Sequence, residues 1–360
     1  NFVDRLNLVL AVIDACRPPV SEVNGNRQLA KRVEEATNLP LMGAPANRLR
    51  YKGPMTELTI PTPLETVDLT MTDGAIIRLR RHGNPDGPRL ILAHGNGFAT
   101  DAYFPFWQLL MDDYDLILYD QRNHGHNPRH DDISHHDITY FVSDLDSVLN
   151  GIENTFGTKP TAGLFHSISA VTAVWHALTV GWRWNALVLF DPPLVPSPGH
   201  PLNEIAKSFE LMLSDWSKTR PYRFSNPETL AEQFAGSKSL SRWVPGSHAL
   251  MARSILREDT ETGEWVLCCP PAGESQVYKT NSELHLCPQF GDIPGPLKVI
   301  ASDPDDPNVR SPGLINQALN EEFEHAYEAV PGTTHMVQIE QPDACAKIVN
   351  DFFSEVGFGS

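Results

Sequence analysis

The sequence predicts an α/β fold: a mostly parallel central sheet flanked by helices, interrupted once late in the chain. Three observations predict it. Short apolar runs recur from about residue 65. Between them lie longer stretches whose apolar residues repeat at helical spacing. The alternation stops near residue 196 and resumes near 290. Strands alternating with helices imply parallel pairing through right-handed crossovers. A long break in that rhythm implies an insertion.

The elements follow in order. Val67 to Thr72 and Ala75 to Arg80 read as a hairpin turning at Thr72-Asp73-Gly74. Pro88 to Ala93 is a buried strand running into His94-Gly95-Asn96-Gly97-Phe98. Tyr114 to Tyr119 is a second, ending at Asp120 and followed by Gln121-Arg122-Asn123-His124-Gly125-His126-Asn127. Arg122 and Asp120 are expected to tie this loop to the sheet edge. Thr139 to Phe156 carries Phe141, Val142, Leu145, Val148, Leu149 and Ile152 on one helical face, with Asp144 and Asp146 expected on the wet face. Thr161 to Phe165 is a strand, Ala170 to Val180 a helix, and Ala186 to Phe190 a strand ending at Asp191-Pro192-Pro193. After the break come a strand (Pro296 to Ala301), an Asp-Pro-rich turn (Asp303 to Pro307) and a helix (Pro312 to His325). A strand (Ala326 to Val330), His335 and a last helix (Pro342 to Val356) complete the chain.

Gly163 to Ala170 is the most informative stretch. Ser167 stands between an apolar strand and a helix, where a sharp turn would lift its Oγ clear of the sheet. The same turn aims the following amides at one point, where an oxyanion can form. Phe165 and Ser169 occupy the positions that glycine usually holds in such an elbow. The plainer reading of His166-Ser167 is an ordinary turn before a buried helix. A serine hydroxyl is a weak nucleophile near neutral pH. It needs an imidazole to take its proton and a carboxylate to orient that imidazole.

His94-Gly95, Asp120 to Gly125, His166 to Ser169 and Gly332-Thr333-Thr334-His335-Met336 stand in the order and near the spacings of the α/β-hydrolase fold. The chain resembles that superfamily over roughly residues 65–195 and 290–357. Asn127, where the family often has serine, is a further departure. The resemblance implies Ser167 as nucleophile and His335 as base, in the chain order Ser, Asp, His. Registering the strand from Pro296 places Asp305 at the family's acid position. Asp303, Asp306 and Asp191 are alternatives, and Asp303 and Asp306 also suit turn formation beside proline. The Ile168 amide and an amide of Asn96 or Gly97 are expected to hold the oxyanion. Gly97, Phe98, Trp216 and Met336 are expected at the substrate.

Residues 61–195 and 291–360 are thus expected to form the core, and 196–290 a mostly helical cap. Helical patterns there run over Leu202 to Trp216, Pro227 to Phe234, Lys238 to Val244 and Ser247 to Leu256; Glu264 to Pro270 reads as a loop or short strand. Residues 1–60 form an extension, with helical patterns over Val3 to Ile13 and Arg27 to Thr37. It lacks the basic start and clean apolar core of a signal peptide. It is expected to pack on the core or cap, or to contribute to a homodimer contact.

The chain has 360 residues, 41% of them hydrophobic, enough for a sizeable core. A net charge of −17 argues against nucleic acid and anionic membranes as partners. No apolar run reaches bilayer-spanning length. Five scattered cysteines suggest a reducing compartment and a cytoplasmic location, with a bridge from Cys268 or Cys269 to Cys287 as an alternative. His124, His126, His130, His135 and His136 crowd one segment without a zinc spacing, so no metal is expected. No dinucleotide fingerprint appears, and no cofactor is expected. The expected activity is hydrolysis of a small or medium, mostly apolar ester or lactone through an acyl-enzyme. Carbon–carbon bond hydrolysis, a cofactor-free oxygenase and a non-catalytic binding protein are the alternatives.

Overall fold

The computed structural model describes residues 58–284, 291–306 and 312–359, so both helical patterns of the extension lie outside the described residues. The strands are β1 (Glu65–Thr70), β2 (Ile76–Gly83), β3 (Arg89–Ala93), β4 (Asp115–Tyr119), β5 (Thr161–His166) and β6 (Ala186–Phe190). The insertion adds β7 (Arg223–Phe224), β8 (Leu256–Glu258) and β9 (Trp265–Leu267), and β10 (Leu297–Ser302) and β11 (Ala326–Val330) follow. The helices are α1 (Phe104–Trp107), α2 (Ile138–Phe156), α3 (Ile168–Thr179), α4 (Asn203–Thr219) and α5 (Pro227–Gly236). After them come α6 (Ser247–Ile255), α7 (Pro271–Glu283), α8 (Gly313–Phe323), α9 (Val337–Glu340) and α10 (Pro342–Glu355).

Among the described residues, eight strands form one sheet in the order β1-β2-β4-β3-β5-β6-β10-β11. β2 runs antiparallel to both β1 and β4, and the remaining pairs are parallel. Every residue of β3, β4, β6 and β10 is buried, as expected for strands covered on both faces. This topology sets β5, β6 and β10 side by side. Their C-terminal ends therefore present Ser167, Asp191 and Ser302 along one edge.

Local chemistry fixes the helices that matter. Asp137 caps α2 by accepting from the Tyr140 amide, and Gly157 ends it at φ +75°. The expected apolar face of α2 is buried. Asp144 differs from expectation: it is buried too, and accepts from Arg122 Nε and Nη2 at 2.7 Å each. Burial pushes its carboxyl up, and Arg122 works against that. A helical face can thus hold an acid inward when a guanidinium meets it in two places.

Between β6 and β10 lie α4 to α7 and a small sheet in the order β7-β9-β8. The pattern over Lys238 to Val244 forms only a single turn, Lys238–Leu240. Pro245 disfavours helix in the residue before it, and Trp243 is instead buried against Phe234 and His248. Helix α7 has no counterpart in the hydrophobic pattern. Its buried residues are Gly273, Glu274, Ser275, Val277, Asn281 and Ser282, almost all polar or small.

Candidate active site

Ser167 closes β5 with φ +55° and ψ −123°, a conformation that L-residues rarely adopt. Holding it there costs about 1–3 kcal/mol, and the surroundings impose it. The Ser167 amide donates to Phe190 O at 2.9 Å. The Ser169 hydroxyl accepts from the His166 amide at 3.0 Å and lies 3.2 Å from Ala93 O. Ser169 thus braces the elbow where glycine would leave it empty. Phe165 is accommodated by Gly163, two residues earlier on the same face, where any Cβ would collide with the Phe165 ring. The required glycine is Gly95, across the sheet. A Cβ there would lie 3.0 Å from both His166 Nδ1 and Ser167 Cβ.

His335 Nε2 lies 2.9 Å from Ser167 Oγ, and His335 Nδ1 lies 2.8 Å from Asp191 Oδ2. The carboxylate facing His335 is therefore Asp191, not the expected Asp305. Asp191 leaves the end of β6 at φ +44° and is fully buried. Its oxygens also accept from the Ser302 amide at 3.0 Å, the Ser302 hydroxyl at 3.0 Å and Asn316 Nδ2 at 3.2 Å. Asp305 is exposed in the turn after β10, where its amide donates to Asp303 Oδ1 at 3.0 Å. Asp303 itself accepts from the Gly332 amide at 2.8 Å, bracing the loop that carries His335. Asp306 pairs with Arg242 of the insertion at 2.5 Å. Of the other three candidate acids, Asp303 and Asp306 thus brace loops and Asp305 is an exposed turn residue.

The loop after β3 offers one amide. Gly97 N–H is taken by His124 Nε2 at 3.0 Å. Among the described residues, the Asn96 and Ile168 amides have no intramolecular acceptor. His94 fixes the loop by donating from Nδ1 to Gly95 O at 2.7 Å and accepting the Gln121 amide at Nε2, 3.0 Å away. The Asn96 side chain donates to Glu274 O at 2.9 Å.

Sequence reasoning assigned no role to His166 or Tyr103. Tyr103 Oη accepts from the Gly95 amide at 3.2 Å and donates to His166 Nδ1 at 2.7 Å. His166 Nε2 donates to His335 O at 2.9 Å. Burial, together with the neighbouring His335, holds the His166 imidazole well below its ordinary range and therefore neutral. This chain joins the β3 loop to the backbone of His335. The sole sequence signal was the histidine before Ser167, and Tyr103 lay in a stretch without strand or helix pattern.

Of the residues expected at the substrate, Gly97 and Trp216 both adjoin the Glu274–Arg220 ion pair. The Cα of Gly97 abuts the Glu274 carboxylate, so a Cβ there would lie 2.8 Å from Oε1. Phe98 packs against the core and Met336 is buried within it. Trp216 is half-buried, with the Arg220 guanidinium 5.0 Å over its ring. Arg220 pairs with both Glu274 oxygens at 2.9 Å.

The histidine-rich segment separates as well. His126 pairs with Asp101 at 2.7 Å and His135 with Asp73 at 3.1 Å. His136 is buried rather than at the surface. The ligating atoms of His124, His136 and Cys269 lie within 4.8 Å of one another. His124 Nε2 already accepts from Gly97, and His136 Nδ1 lies 3.4 Å from Asn123 Nδ2. Burial drives both imidazoles down, His136 to about 3, so both are neutral. Hydrogen bonding accounts for this cluster. Cys268, Cys269 and Cys345 are free, buried thiols.

A hydroxyl on a strained elbow, an imidazole and a buried carboxylate in series, with two amides beside them, define a nucleophile–base–acid site on a largely parallel sheet. The chain belongs to the alpha/beta hydrolase family, whose sequence profile matches residues 90–348. Among curated proteins it is similar to a probable oxidoreductase, EphD, of Mycobacterium tuberculosis, 27% identical over 185 residues. It is also similar to epoxide hydrolase A of the same organism, 32% identical over 133 residues. These matches span 51% and 36% of the chain, but only 28% and 34% of those relatives' own lengths. Among solved structures, E-2-(acetamidomethylene)succinate hydrolase superposes with a TM-score of 0.65 at 17% identity, over 81% of this chain and all of that one. An alpha/beta hydrolase of Novosphingobium aromaticivorans does so with a TM-score of 0.64 at 14% identity, over 82% of this chain and 99% of that one. At such identities the likeness speaks for the fold alone.

Proposed function

We propose that this protein is a serine hydrolase that cleaves a small or medium ester or lactone through an acyl-enzyme on Ser167. The observation that carries the reading is the series Ser167 Oγ, His335, Asp191 at 2.9 and 2.8 Å. Asp191 Oδ2 accepts the Nδ1 proton, which leaves the Nε2 lone pair facing Ser167. His335 then removes the hydroxyl proton as Oγ attacks the carbonyl carbon. The negative charge that forms on oxygen meets the Asn96 and Ile168 amides. Asp191 stabilises the imidazolium, which returns its proton to the leaving oxygen. Water, activated by the same imidazole, attacks the acyl carbon and frees Ser167.

The name of one relative raises epoxide opening. Serine chemistry argues against it here. Attack of Oγ on an epoxide carbon would leave an alkyl ether, which has no carbonyl for water to attack. An ester or lactone gives an acyl group that water can release.

The test is a panel of p-nitrophenyl esters, acetate to decanoate, on wild type, Ser167→Ala and His335→Ala. Turnover by wild type that is lost in both variants supports the reading, and the best chain length gives the acyl size. A folded wild type that turns over none of them overturns it.

A further inference from the structure

Helix α7 is stitched to both loops of the proposed site by buried asparagines. From the core, Asn96 Nδ2 donates to Glu274 O near the start of α7. From the helix, Asn281 Nδ2 donates to Pro193 O at 2.9 Å, a contact across 88 positions of sequence. Asn96 is 3% exposed and Asn281 1%. A buried amide costs free energy unless it is hydrogen-bonded, so these bonds do more than cover a surface that leucine could cover.

The second bond falls where the site most needs it. Asp191 leaves β6 at φ +44° and is followed by Pro192 and Pro193. Neither proline has an N–H, so the backbone of these two residues can hydrogen-bond only through its carbonyls. Leu194 N–H turns back to Pro192 O at 2.9 Å, and Pro193 O is left for Asn281. Glu210 is buried beside Asn281: burial pushes its carboxyl up to about 8, and a hydrogen bond with the Asn281 side chain works against that.

We propose that Asn281 is a positioning residue for the acid: through Pro193 O it holds the loop that aims Asp191 at His335. The inference rests on the triad reading above. Without the tie, Asp191 relaxes from its left-handed conformation and the His335 tautomer is less well enforced. Substrate contacts do not change, so the effect falls on kcat rather than KM.

The test compares wild type with Asn281→Leu, which keeps the shape and loses the donor, and Asn281→Asp, which puts an acceptor against the carbonyl. With a p-nitrophenyl ester, both variants are expected to lose about tenfold or more in kcat with KM nearly unchanged, since small misplacements are amplified in rate. Hydrogen exchange at the Asp191 and Leu194 amides is expected to quicken in both. Unchanged kcat, or a loss shared between kcat and KM, overturns the proposal. If only one variant folds, that one decides. If wild type hydrolyses no ester, the function reading fails separately and exchange decides the tie: quickening supports it, unchanged exchange overturns it.

Discussion

Gly95 and Asp191 show how single residues set this site. The elbow brings Ser167 Cβ so close to the neighbouring loop that no side chain fits at position 95. Gly95→Ala is expected to destabilise the fold by about 1–3 kcal/mol through overpacking and to lower ester turnover more than it lowers Tm. Denaturant titration beside steady-state kinetics checks both. Tyr103→Phe removes the hydroxyl between Gly95 N–H and His166 Nδ1 and leaves both buried without their partner. That is expected to cost about 1–3 kcal/mol, read from the same titration. Ser167 and His335 were legible because a nucleophile and a base must stand at strand ends, and the sequence placed both there. The acid was not legible. Asp191, Asp303, Asp305 and Asp306 all follow strands, and what separates them is three-dimensional. Asp191 meets Ser302, Asn316 and His335, which come from more than 100 positions away.

At the scale of elements, amphipathic helices were legible and α7 was not. α2 announces itself by a stripe of apolar residues that the sheet buries. α7 buries glutamate, asparagine and serine instead, so no hydrophobic period marks it. Its packing against α4 has a pH signature. Glu210 of α4 is protonated in the folded chain up to about pH 8, whereas an unfolded glutamate ionises near about 4.3. The raised acid contributes stability that is whole below the unfolded value and is lost as pH rises toward the folded one. Glu210→Gln cannot ionise. Its stability relative to wild type is therefore expected to be level near pH 4 and to climb toward pH 8, by at most about 5 kcal/mol at 1.4 per unit. A Tm difference that stays flat across that range would contradict this account of α4 and α7.

Across the whole molecule, the strand–helix alternation dictated the sheet, and its eight strands among the described residues sit within about three residues of where the hydrophobic pattern puts them. The insertion was legible as a break in rhythm; of its small sheet, whose strands are only two or three residues long, only β9 was anticipated, as one of two readings of Glu264 to Pro270. Among the described residues, no helix is long and apolar enough to cross a membrane. Cys268 and Cys269 are adjacent and Cys345 lies in α10; all three are buried, and burial pushes each thiol up. Reaction of these thiols with an aromatic disulfide is expected only as the chain unfolds. Fast labelling of any of the three in native buffer would contradict the packing described here.

In the proposed mechanism residues 167, 191 and 335 act as one catalytic unit. Asp191→Asn beside Asp305→Asn tests it most directly, with ester turnover and labelling of Ser167 by a fluorophosphonate read on the same samples. Asp305→Asn is expected to match wild type, while Asp191→Asn keeps its fold and loses about 10³–10⁴-fold in kcat because the His335 tautomer is no longer fixed. Full activity in Asp191→Asn, or its loss in Asp305→Asn, would contradict it.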